Sequence, residues 1–166
     1  MSRNRNGLAI SQEYWGNLIG QIYEAAIDAE KWNEVLIEIG KPLNCHCGNL
    51  IDISKDSVLN LINFTDGYVH SAVVDIDQEV TQGINPKVNY IKNLPGVTYW
   101  SDANFTSEKE MAASPYYREG SPKVYETYFG GGLVLRNSVD ELTDIGNFRQ
   151  KSEGKFGPRN ARFDTK

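Results

Sequence analysis

The stretch YFGGGLVLR, Tyr128–Arg136, is followed through Asn137 to Asp140 by LTDIGNFRQ, Leu142–Gln150. Two β-prone runs joined by a short polar connection read as an antiparallel hairpin. Its three successive glycines do not make a dinucleotide-binding loop, because that fingerprint lies between a strand and a helix. Inside a strand, Gly130-Gly131-Gly132 instead predicts a bulge or a place where something bulky comes close to the backbone. The sheet this hairpin belongs to is therefore expected to be antiparallel.

Working outward, CGNLIDIS and SVLNLINF, parted by Lys55-Asp56, read as a second hairpin with Leu50 and Leu59 to Leu61 on buried faces. Ahead of it the period changes to that of a helix. Ser11 can cap a segment whose apolar positions Tyr14, Trp15, Leu18, Ile19, Ile22 and Ala26 recur at helical spacing, with Gln12 and Glu13 in the first turn. A second helix runs from about Ala29, with Trp32, Val35, Leu36 and Ile39 on one face and a stop at Gly40-Lys41-Pro42.

Between the hairpins, a mixed segment begins after Asp66-Gly67. Asn85-Pro86 then gives a cap and a proline at the first helical position, and Val88, Ile91 and Leu94 form the apolar face before Pro95-Gly96. VTYWSD is a brief strand. Ser107 and Glu110 have capping-box spacing, and Ser114-Pro115 repeats the cap-then-proline arrangement, so SPYYREG opens as a helix start. The order of helices, hairpin, helices, hairpin predicts an α+β fold with a central antiparallel β-sheet flanked by helices. No repeat or linker divides it, so residues 1–156 are read as one domain and 157–166 as a basic C-terminal tail.

At 166 residues, with 40% apolar and 23% charged side chains, the chain has the composition of a soluble globular domain. No apolar run is long enough to span a bilayer, and the arginines near the N-terminus have no apolar stretch behind them, which predicts a cytoplasmic protein with no membrane partner. The sequons at Asn63-Phe64-Thr65 and Asn104-Phe105-Thr106 are then chance matches. A net charge of −5 argues against a nucleic-acid-binding body. From Arg149 to Lys166 the balance reverses, with Phe156 and Phe163 among the basic residues, and the segment reads as a solvated tail.

Cys45-His46-Cys47 invites a metal reading, but His70 is the one further cysteine or histidine, which falls short of a recognisable four-ligand set. Residues two apart also strain a disulfide. No metal, cofactor or catalytic residue is expected, since the chain has no nucleophile elbow, phosphate loop or HExxH motif.

Taken in order, LIGQIYEAAIDAEKWNEVLIEIG, a hairpin, NPKVNYIKNLPGV, SEKEMAASPYYREG and YFGGGLVL resemble the N-terminal, GAF/PAS-like sensor domain of LuxR-type transcriptional regulators, from about Leu18 to Phe156. The resemblance implies helices on both faces of an antiparallel sheet, and a ligand-responsive or dimerising module ahead of a helix-turn-helix domain. No segment here shows two capped helices with a turn between them, so this chain alone is expected not to bind specific DNA sequences.

In the autoinducer-binding branch of that family an Asp-Pro pair accepts the acyl amide N–H and a downstream tryptophan holds the lactone carbonyl. Asn85-Pro86 and Trp100 resemble those positions. Asparagine still accepts a hydrogen bond but lacks the charge-assisted strength of a carboxylate, which disfavours an acyl-homoserine lactone. The candidate ligand-binding residues are Asn85, Tyr90, Trp100, Tyr116, Tyr117 and Tyr128. Against them stand plainer roles: a helix cap for Asn85, and core packing for Trp100 and the tyrosines. The expected function is a sensor of a small amphipathic effector, forming a homodimer through the helical layer where Tyr14, Trp15 and Trp32 lie. The alternative is a ligand-free dimerisation or protein-interaction module.

Overall fold

The computed structural model describes residues 11–54, 57–63, 75 and 77–156. The turn at Lys55-Asp56, the start of the segment after Asp66-Gly67, His70 and the tail 157–166 lie outside them.

Helix α1 (Gln12–Ile27) starts where Ser11 Oγ accepts the Tyr14 backbone N–H, the cap that the sequence predicts. Its Leu18 and Ala25 are buried against Val35, with Tyr14, Ile22, Trp32 and Ile39 packed around them. Ala26, expected on that face, is exposed, as are Trp15 and Ile19. Helix α2 (Trp32–Leu43) runs past the predicted stop and carries Pro42 within it. Proline has no N–H to give the carbonyl four residues back, and the Tyr14 hydroxyl donates to that Glu38 carbonyl instead, at 2.5 Å. The chain then turns at Asn44, whose φ of 52° is left-handed.

The strands β1 (Cys47–Ser54), β2 (Val58–Asn63), β3 (Val97–Ser101), β4 (Phe129–Arg136) and β5 (Glu141–Arg149) form one sheet in the order β2-β1-β5-β4-β3, with every neighbour antiparallel. The architecture is α+β. Leu50 is buried as expected, but Leu59, in an edge strand, is 57% exposed. Short helices lie between the hairpins, among them α3 (Pro86–Ile91), α4 (Glu108–Ala113), α5 (Pro115–Glu119) and α6 (Ser121–Val124). Asn85 and Ser107 cap α3 and α4, the latter with the reciprocal Glu110 contact of a capping box.

The main core lies between one sheet face and α3, where Ile51, Ile53, Trp100, Val134 and Leu142 meet Val80, Val88 and Ile91. The glycine triplet is flattened between two aromatic rings. A Cβ on Gly130 or Gly132 would come within 3.1 Å or 3.0 Å of the Trp100 indole, and one on Gly131 within 3.2 Å of Phe156 on the other side. Glycine is required there by close approach.

The segment from Arg149 to Phe156 departs from the solvated tail expected of it. Arg149 is buried and donates to the Leu43 carbonyl at the end of α2, and its guanidinium lies 4.2 Å over the buried Phe156 ring. Lys155 pairs with Glu108 at 3.3 Å.

Candidate functional site

Above Gly130 three side chains converge: Lys87 Nζ, the Phe148 ring and the outer edge of Trp100 each lie 3.1 Å from where a Cβ would stand. They come from α3, β5 and β3, so only the folded chain brings them together.

Lys87 is 4% exposed. Its ammonium donates to the Thr127 and Tyr128 carbonyls at 3.0 and 3.2 Å, lies 3.7 Å from Asp102 Oδ2, and faces the Tyr117 and Phe148 rings. Burial lowers its pKa, opposed by Asp102 and Glu79. Asp102, itself buried, accepts the Tyr117 hydroxyl at 3.1 Å and the Gly130 backbone N–H. The phenol is driven upward, first by burial and then by Asp102. This clasp ties α3, α5 and the entry of β4 to the end of β3.

Asp144 is the second buried carboxyl. Trp100 Nε1 donates to its Oδ1 at 2.7 Å. Burial pushes the Asp144 pKa up to about 7, and the indole hydrogen bond offsets only part of that rise. Ile51 lies opposite Asp144 on β1 and Val134 on β4, so the carboxyl sits between two aliphatic side chains on its sheet row.

The residues singled out from the sequence fall into three settings. Asn85 is 5% exposed; its Oδ1 accepts the Lys87 and Val88 backbone N–H groups at 3.0 and 3.1 Å, while its Nδ2 donates to Glu79 at 3.1 Å. Trp100 is 1% exposed and has committed its single N–H to Asp144. Tyr90 is stacked on Phe105 with ring centroids 4.6 Å apart, at the edge of the main core. Tyr116, Tyr117 and Tyr128 pack with Met111 and Phe129 in a separate cluster. Tyr117 and Tyr128 also line an open groove of about 640 Å³, together with Arg118, Lys123, Glu126, Gln150 and Lys151.

Sequence reasoning missed Lys87, Asp102 and Asp144. A lysine in the first turn of a helix opposes the helix dipole, which is a faint signal that something else holds it there. Nothing local marks either aspartate.

Cys45 and Cys47 are free thiols, and burial drives the Cys45 thiol up to about 12 despite the nearby Arg149. Among the described residues no group of three or more His, Cys, Asp or Glu side chains could hold a metal ion, and no helix is long and apolar enough to cross a membrane.

The fold is similar to that of solved ligand-binding domains of LuxR-family regulators. One match is the N-acylhomoserine lactone-dependent LuxR family transcription factor CepR2 from Burkholderia cenocepacia, with a TM-score of 0.59 and 10% identity, covering 90% of this chain and 84% of that one. Another is the VqsR LBD domain from Pseudomonas aeruginosa, with a TM-score of 0.57 and 14% identity, covering 88% of this chain and 84% of that one. No protein-family model and no curated protein matches the sequence.

Proposed function

We propose that the chain is a cytoplasmic, non-enzymatic regulatory domain of the LuxR ligand-binding type, sensing a small amphipathic molecule between the Trp100 face of the sheet and the segment from Asn85 to Tyr117. The observation that carries this reading is the shared fold, which extends over 90% of the chain. In this reading Tyr90 and Trp100 supply aromatic walls, and Tyr116, Tyr117 and Tyr128 close the end nearest the Lys87–Asp102 clasp.

The effector is one other than an acyl-homoserine lactone. Asn85 Oδ1 already accepts two backbone amides and the Trp100 indole N–H already serves Asp144, so both positions that resemble lactone anchors are occupied from within the chain. Freeing either would leave a buried polar partner unsatisfied, at about 1–3 kcal/mol each. The same internal satisfaction favours a second reading, a ligand-free dimerisation or protein-interaction module.

Native mass spectrometry of the purified chain, with a thermal-shift screen of fatty acids, aromatic acids and acyl lactones, separates these readings. A ligand at a hundredfold its Kd stabilises the folded state by about 2.7 kcal/mol, a shift of several degrees. The expected result is a shift by a fatty or aromatic acid and none by acyl lactones. A lactone shift would overturn the ligand class. No retained molecule and no shift by any compound would leave the ligand-free module.

A further inference from the structure

The groove that Tyr117 and Tyr128 line is positively charged on a chain whose net charge is −5. Arg118 from α5, Lys123 from α6 and Lys151 from the turn after β5 line it, against the carboxylate of Glu126. Arg118 pairs with the adjacent, solvated Glu119 at 3.4 Å, while Lys123 and Lys151 make no ion pair among the described residues. Lys151 Nζ instead stands 4.9 Å from the centre of the Tyr128 ring. Glu126 is engaged within the chain: Gln150 Nε2 donates to its Oε2 at 2.6 Å, and His46 Nε2 lies 4.0 Å from the same oxygen. The Gln150 hydrogen bond joins the stretch after α6 to the turn after β5. Glu126 makes it from a left-handed φ of 56°, which is uncommon for a residue that carries a side chain.

We propose that this groove is a binding site for a small organic dianion, a doubly charged acid group on a flat apolar body. Its volume of about 640 Å³ falls within the roughly 300–1,000 Å³ that small-molecule sites occupy. Pro122, Tyr117 and Tyr128 supply apolar lining for the body, and the cations supply the counter-charge. Glu126 offsets one of the three cations, which leaves two for the ligand. A dianion balances them, whereas a neutral molecule leaves them repelling each other across the groove. The acidic chain as a whole repels anions, so affinity for one must come from this local excess. The Glu126–Gln150 hydrogen bond fixes the two sides of the groove relative to each other before a ligand arrives, so that binding orders little. The groove shares Tyr117 and Tyr128 with the sensing reading but is not lined by Asn85, Tyr90 or Trp100, and this inference holds whether or not the core takes an effector.

Isothermal titration calorimetry of the whole chain at low salt tests it, with melting temperatures measured in parallel. The probes are phenyl phosphate and phenylmalonate as dianions, benzoate as a monoanion and benzyl alcohol as the uncharged body. A dianion should bind one-to-one, benzoate about tenfold more weakly for its one charge fewer, and benzyl alcohol not detectably. The tighter of the two dianions identifies the acid group. Lys123→Glu and Lys151→Glu, both at exposed positions, should each weaken the dianion by about tenfold or more with the melting temperature unchanged. Tyr90→Leu, on the core side, should leave its affinity as it is. No binding by either dianion overturns the proposal, and so does an affinity that neither charge reversal changes. Binding that Tyr90→Leu abolishes would overturn it by placing the probe in the core. A polyglutamate peptide that binds more tightly than either dianion would overturn it in favour of an acidic protein segment.

Discussion

Asp144→Asn should change how stability depends on pH. The carboxyl ionises near 3.8 when exposed and at about 7 in the fold, where burial disfavours the charge. Between these values the folded protein keeps a proton that the unfolded chain has released. Stability therefore falls as pH rises through this window and levels off above about 7, the reverse of a salt-bridged carboxylate. Three pKa units at about 1.4 kcal/mol each set a ceiling of roughly 4 kcal/mol on this contribution. Asparagine keeps an oxygen for the Trp100 N–H and cannot ionise. Urea denaturation of both proteins from about pH 4.5 to 8.5 cancels the titrations they share. Any constant offset of the variant aside, relative to the wild type it should gain stability as pH rises, by a few kcal/mol across the range. Parallel pH profiles would refute the argument, since they would mean that Asp144 is hydrated or paired in the folded state.

Replacing one member of the Lys87–Asp102 clasp should cost more than replacing both. Lys87→Met leaves a buried carboxylate without its cation, at about 3–5 kcal/mol, and adding Asp102→Asn should recover part of that loss in denaturant titrations; a double variant no more stable than the single one would contradict the pairing. Gly132→Ala would place a Cβ 3.0 Å from the Gly146 Cα and the Trp100 Nε1. Because backbone there cannot yield, on the order of 3 kcal/mol should be lost. Gly16→Ala, in open space on a helix, should instead gain up to about 1 kcal/mol, and equal effects at the two sites would refute the packing argument.

Much of the local structure was legible in the sequence because its causes span only a few residues. Ser11, Asn85 and Ser107 cap helices within three positions of themselves, and Asn85 keeps the plainer role weighed for it. Alternating apolar residues marked both hairpins, and three consecutive glycines announced a close neighbour. That the neighbours are Trp100 on one side and Phe156 on the other was decided by strand register and by the chain's return after β5.

Only the tertiary structure decided the rest. The β1–β5 pairing joins residues nearly a hundred positions apart, and a period of two says which side chains share a face without naming the strand beside them. Lys87, Asp102 and Asp144 look like ordinary surface charges in sequence, where charge usually means solvent. They are internal because the elements that carry them pack face to face, and each charge then depends on a partner supplied by another element. Helix α1 shows the same limit from the apolar side. Its pattern revealed more hydrophobic positions than one face requires, but the docking of α2 determined which of them were buried and which remained on the surface.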